Sequence, residues 1–472
     1  MSGNATVVQV GSASVSTSGA LTGKLLLQFQ SVLSASNAVT VPSVSTAGTT
    51  AAPVTLPAAP VTTTAQPTNT LIIPSSDSGV ISVPAGYQFV IYMGTGQLVG
   101  GDASQVVIGD LNYSGNAGTI MGTGTGTGTV SATGANARIA MATGNEVVLA
   151  LAAAQTMSFD SGYDTVVATG TSDSVSVDGA ASVIGYFNNA ANFDITGGSS
   201  TIVAGVGVNT LSATAGNAVL FGSNLGNSVL GGSGNVGFLN AAGQSTFTAG
   251  SGSDTVFAQG GVLYNGSTGN SLFVGGPGMS TVFAAQNETA YGGTGGEVVS
   301  LSGTDKLLMV GGGGADTVMG GTVAPTIWGN TNENLTVTNT AAGGQYVLFG
   351  DNNKMNLAGS GGGSHIIGVN FQGFTGNTTL VASNAGHDSV VLFSAKEFGA
   401  TAGPAHTITI SNWQSTDLLD LTFTTIQNQT FGYTAADAQG ATTALAAGNS
   451  FTLSDGTTVV FQGAKPTTVY HA

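Results

Sequence analysis

Cysteine is absent from this chain of 472 residues, so disulfides and a thiol nucleophile are excluded. Charge is nearly as scarce. Only 6% of the residues are charged, where a soluble domain carries about 25%. The surface must therefore be built from Ser, Thr, Asn and Gly. The six basic residues, Lys24, Arg138, Lys306, Lys354, Lys396 and Lys465, are scattered, and without a cationic cluster a nucleic-acid partner is excluded. The formal net charge of −16 favours cations as partners, or solubility through repulsion. No segment reaches the roughly 18 apolar residues of a membrane span. Met1 to Thr6 lack a basic run leading into an apolar core, so a standard secretory signal is not read there. Either the chain stays in the cytoplasm or its export address lies elsewhere. The four histidines, His365, His387, His406 and His471, form no H-E-x-x-H site, and no G-x-S-x-G elbow opens a helix. The expectation is a protein that is not an enzyme. A polysaccharide-modifying enzyme on a β-helix is the minor alternative.

Glycine is abundant, with 75 residues and no strict triplet, which excludes collagen, and hydrophobics at 41% are enough for a core. From about residue 140 to 392 a short apolar cluster returns roughly every nine residues, with glycine-rich turns between the copies. Val147-Val148, Val166-Val167, Val256-Phe257, Val282-Phe283, Leu307-Leu308 and Ile327-Trp328 are examples. A repeat this short is one strand and one turn. It buries its apolar side only by stacking on the next copy, and two steps make a coil of roughly 18 to 20 residues. The period predicts an all-β chain, a parallel β-solenoid of β-roll or β-helix type. Its core is one or two side chains wide, and Ser, Thr, Asn and Gly cover both outer faces.

Four regions follow from composition. Residues 1–36 read as an N-terminal strand and helix arm, with Leu21, Leu25, Leu26, Phe29, Val32 and Leu33 giving one apolar helix face over 19–36. Residues 37–79 carry Pro42, Pro53, Pro57, Pro60, Pro67 and Pro74 among Thr and Ala and read as a linker or strap. Residues 80–400 hold the solenoid. Within them, GTGTGTGT at 122–129 is a strand with its threonines on one face or a loop, and such a threonine array is the basis of an ice-binding alternative. Residues 401–472 have longer strands and fewer glycines and read as a C-terminal β cap.

Gly311-Gly312-Gly313-Gly314-Ala315-Asp316-Thr317-Val318-Met319 fits the nonapeptide G-G-x-G-x-D-x-U-x at every position, U being a large apolar residue. Its glycines permit tight turns, and its aspartate offers an oxygen to a Ca²⁺ between turns. Weaker copies place Asp164 before Val166, Asp254 before Val256, Asp305 before Leu307 and Asp388 before Val390. This pattern resembles the repeats-in-toxin family exported by bacterial type I secretion, in rhythm over residues 140–392 and in detail at one nonamer. The resemblance implies a few Ca²⁺ sites. The candidates are Asp164, Asp254, Asp305, Asp316 and Asp388 with Gly312 and Gly314, and above all Asp305 and Asp316, one beat apart. The competing reading is that these aspartates cap turns with their side chains.

His406 to Trp413 followed by Asp417-Leu418-Leu419-Asp420-Leu421 resembles the stretch that closes many type I substrates, with Asn412 and Trp413 standing where Asp and Phe are usual. The resemblance implies an uncleaved export signal in 401–472. Asp455-Gly456 between two alternating runs predicts a β-hairpin. The Ala/Thr/Gly/Val-rich, lysine-poor style resembles alpha-proteobacterial surface-layer and extracellular matrix proteins. It implies an extracellular, self-associating structural protein: a surface layer, filament or biofilm matrix. Its partner would be its own copies, with cell-surface polysaccharide as a further partner. The alternative is a Ca²⁺-dependent adhesin or carbohydrate-binding module. The N-terminal arm would either cap its own coil or complete the sheet of a neighbour.

Overall fold

The computed structural model describes residues 79 to 471 apart from short breaks. Before them it describes the strands Val7–Val10, Ala13–Ser16, Ser36–Val39, Val54–Thr55 and Thr68–Ile73. The helix expected over 19–36 lies outside the described residues. The chain forms two compact units, Met1–Phe238 and Leu239–Ala472.

Each unit is a parallel β-solenoid. A strand pairs in parallel with the next strand but one, a full coil away: Thr129–Ala132 with Val147–Ala150 in the first unit, and Ser280–Ala284 with Glu297–Leu301 in the second. Glycine-rich turns make this closure possible because the coils nearly touch there. A Cβ on Gly312 would lie 2.2 Å from the carbonyl oxygen of Gly292 on the preceding coil, and one on Gly314 would lie 2.6 Å from the Gly296 nitrogen.

The interior is a set of side-chain columns. In the second unit Val256, Phe273, Ala290, Met309, Ile327 and Tyr346 follow one another coil by coil, and all are buried. Opposite them run Phe247, Tyr264, Val282, Val299, Val318 and Val337. Full burial of each large apolar side chain contributes about 1.5–3 kcal/mol. In the first unit the matching column is Ile139, Met157, Val175, Phe193, Leu211 and Val229.

Several expectations need correction. The outer faces are not uniformly small and polar. Successive residues of a strand point to opposite sides, so each apolar doublet sends one member inward and the other out. Val256 is buried while Phe257 is exposed, and Ile327 is buried while Trp328 is exposed. The beat also loosens toward residue 392. Pairs stand 17 residues apart at Phe247 and Tyr264, but 23 apart at Ile367 and Val390, the extra residues falling between strands. Strands at and within the proline-rich segment join the ladder. Ser36–Val39 pairs in parallel with Thr68–Leu71, and Thr70–Ile73 with Phe89–Tyr92. Pro67 precedes and Pro74 follows the strand Thr68–Ile73 in the sequence, outside the run whose N–H groups the ladder uses. Val7–Val10 is not a lone strand, since it pairs antiparallel with Ala13–Ser16. Of the two readings of the GTGTGTGT run, the single strand is not found: one strand ends at Gly122 and the next begins at Thr129.

In the C-terminal region the parallel ladder goes on. Thr407–Ser411 pairs with residues 378–381 on one side and with Thr458–Gln462 on the other. The predicted hairpin forms, with Ser450–Thr452 antiparallel to Thr458–Gln462. Gly456 takes the left-handed backbone at φ 92° in the turn between them. A helix, Ala435–Ala447, packs against this end through Ala438, Ala441 and Leu445. Thr434 and Asp437 close a reciprocal capping box at its start.

Candidate functional site

All five candidate aspartates are buried, and each accepts a backbone N–H. Asp164 Oδ1 accepts from Glu146 at 2.9 Å, Asp254 Oδ2 from Gly250 at 3.0 Å and Asp305 Oδ2 from Ser302 at 2.7 Å. Asp316 Oδ1 accepts from Glu297 at 2.7 Å, and Asp388 Oδ2 from Ser383 at 2.8 Å. Asp254, Asp305 and Asp388 bond within their own turns, the geometry of turn caps, whereas Asp164 and Asp316 each tie their coil to the preceding one. Asp305 and Asp316 do not face each other. One beat along the chain moves a residue to a different corner of the coil. Asp305 belongs with Glu288 and Asp254, and Asp316 with Glu297 and Glu333. Among the described residues no group of three or more His, Asp or Glu side chains is arranged to hold a metal ion. Gly312 and Gly314 serve the close approach of coils.

The corner at Asp316 holds the sharpest electrostatics. Glu297, Asp316 and Glu333 stack on three successive coils, each at most 1% exposed. Both oxygens of Glu297 accept from the Gly293 N–H, at 3.0 and 2.9 Å, and Glu333 Oε2 accepts from Gly313 at 3.2 Å. Asp316 Oδ2 and Glu333 Oε1 have no hydrogen-bond donor. A Cβ on Gly292 would sit 2.9 Å from Glu297 Oε2 and 3.1 Å from Asp316 Oδ2, so the two carboxyls converge over that glycine. Burial, then the neighbouring Asp316 charge, pushes Glu297 up to about 9 and Glu333 to about 8. In the adjoining corner burial pushes Glu288 up to about 8. Near neutral pH Glu297, Glu333 and Glu288 hold protons, which reduces the repulsion between stacked like groups.

His365 and Asp388 form a buried pair, Nδ1 to Oδ1 at 2.7 Å. Ser383 Oγ also donates to Asp388 Oδ1, at 3.1 Å. Burial would raise Asp388, but the bonds from His365 and Ser383 outweigh it and hold its carboxyl below the usual range. The trio is not ordered for nucleophilic chemistry. Activation of a serine needs the imidazole between hydroxyl and carboxylate, and here the carboxylate stands between the other two.

The feature that sequence reasoning missed is on the outside. In the second unit, one outward face carries Phe257, Val274, Tyr291, Val310, Trp328 and Val347 in a single column, one per coil. Phe257, Tyr291 and Trp328 are 44%, 44% and 43% exposed. The adjacent column reads Thr255, Leu272, Thr289, Leu308, Thr326 and Gln345. The first unit has its own version, in which Val167, Tyr186, Val203 and Phe221 align. Its other outward face carries Ser174, Asn192, Thr210 and Ser228 in one column. The alternation shows only once the register is known, because the residues that follow Val256, Phe273, Ala290, Met309 and Ile327 are Phe257, Val274, Tyr291, Val310 and Trp328. No protein-family model, curated protein or solved structure matches this chain. Among the described residues no helix is long and apolar enough to cross a membrane.

Proposed function

We propose that this chain is an exported, self-associating structural protein that builds a surface layer, filament or biofilm matrix, with residues 401–472 carrying its type I export signal. The observation that supports this reading most is the aligned, exposed apolar column on one outward face of the second unit. Contiguous apolar surface on a folded protein marks an interaction site. A surface that repeats coil after coil suits assembly better than catalysis, which needs unlike groups converging on one point. Electron microscopy of the purified full chain tests it. Sheets or filaments are expected, and isolated particles at every concentration would overturn the reading. Export is tested separately. Deleting residues 405–472 is expected to leave the protein inside the cell, and continued secretion would remove that part.

A second reading, a carbohydrate-binding module, is favoured by one observation. Phe257, Tyr291 and Trp328 stand on alternate coils, about 10 Å apart from one to the next at the usual strand spacing. Flat rings in such a row suit stacking against sugar faces. Retention on an insoluble polysaccharide that disappears with Tyr291→Ala and Trp328→Ala would support it.

A further inference from the structure

The outer columns of the second unit alternate in two directions at once. Coils that present an aromatic ring beside threonine (Thr255 with Phe257, Thr289 with Tyr291, Thr326 with Trp328) alternate with coils that present leucine beside valine. Large side chains thus sit on the diagonals: Phe257, Leu272, Tyr291, Leu308 and Trp328. Smaller ones fill the squares between. The buried column behind it, Val256, Phe273, Ala290 and Met309, alternates small and large in the opposite phase, so a coil with a ring outside carries a small side chain inside. Solvation does not require the outer pattern. A checkerboard of knobs and dents does have one special property: shifted by one coil, it is its own complement. Facing layers pack best when large residues meet small ones.

We propose that this checkerboard is the lateral docking face for a second copy of the chain, the two faces meeting with a one-coil offset so that each ring lies over a valine of the other copy. This rests on the self-association reading and specifies its surface. Neither column contains a charged residue over these coils, so two copies can approach without placing like charges opposite each other. The size of the patch sets the strength. Six coils about 4.8 Å apart and two columns about 7 Å apart give roughly 400 Å² per copy. About 800 Å² for the pair is below the roughly 1,200 Å² of a standard interface. A single pair is therefore weak, and lasting assembly needs many such contacts or high local concentration. That suits a lattice better than a discrete dimer.

The test is sedimentation of the full chain over a range of concentrations, with far-UV circular dichroism and melting curves to confirm that each variant is folded. Tyr291→Lys with Trp328→Lys is expected to weaken association at least tenfold. Thr281→Lys with Thr317→Lys, on the other outward face, is expected to leave it unchanged. Val310→Trp separates shape from greasiness: it adds apolar surface but fills a dent, and it is expected to weaken association. Val274→Phe repeats this one aromatic coil away, should Val310→Trp fold poorly. If the wild type associates and the lysine pair has no effect, or if filling a dent tightens association, the docking face is wrong while self-association stands. If the wild type is monomeric throughout, self-association itself fails and the docking face with it. Loss of binding to insoluble cellulose in the lysine pair would then assign the rings to sugar.

Discussion

One corner of the coil is solved differently in two stretches of the chain. In the first unit, Asn209 and Asn227 hold the position at the start of the strand, two and three coils on from Asp173 in the same column, and the Ala191 N–H donates to Asn209 Oδ1 at 3.0 Å. In the second, the equivalent corner holds Glu297, Asp316 and Glu333. Both columns cap turns by accepting backbone N–H groups. The amide column does so without titrating. Glu297 and Glu333 do so with a pH dependence, because burial and like charges on adjacent coils disfavour their ionised forms. A repeat therefore fixes the role of a position and leaves its chemistry free, and Glu297 and Glu333 carry a pH dependence that Asn209 and Asn227 lack.

The largest effect should come from alkali. Glu297, Glu333 and Glu288 bind protons more tightly in the folded chain than in the unfolded one. Their contribution is therefore complete below the ordinary glutamate value and is lost as pH rises through about 8 to 9. Melting temperature is expected to fall by about 5 °C or more between pH 6 and 9.5, measured by circular dichroism, and an unchanged or rising value would break the comparison. Glu297→Gln with Glu333→Gln should remove about two thirds of that slope, since two of the three titrating groups are gone while a neutral amide keeps an acceptor at the turn. Asn209→Asp with Asn227→Asp should give the first unit a smaller alkaline sensitivity, visible as faster hydrogen exchange in residues 191–231 at pH 9. The smallest effect should come from calcium. With backbone donors already on all five aspartates, EGTA is expected to leave the melting curve in place, and a clear rise with millimolar Ca²⁺ would return the aspartates to a metal role.

Much of this was legible from the residues, and the limits are instructive. Val148, Val166, Val256 and Val318 were visible as core because apolar residues at a steady short period have nowhere else to go. The Asp455-Gly456 hairpin was visible because that dipeptide suits a tight turn. The helix Ala435–Ala447 was legible too, in Thr434-x-x-Asp437 and the alanine-rich run that follows, but the surrounding strand pattern masked it. The partnership of Asp316 with Glu297 and Glu333, in place of Asp305, was not legible. It depends on coil lengths of 17 to 19 residues at that point in the chain, which local spacing does not reveal.

The nine-residue rhythm and its glycines were enough to dictate a parallel stack, since no fragment of that size can hide its apolar side alone. Register between coils decided the rest: which member of each doublet reached solvent, which carboxyls met, and that rings and valines alternate down one face. Those contacts join residues a whole coil apart, and every intervening turn contributes to where they land.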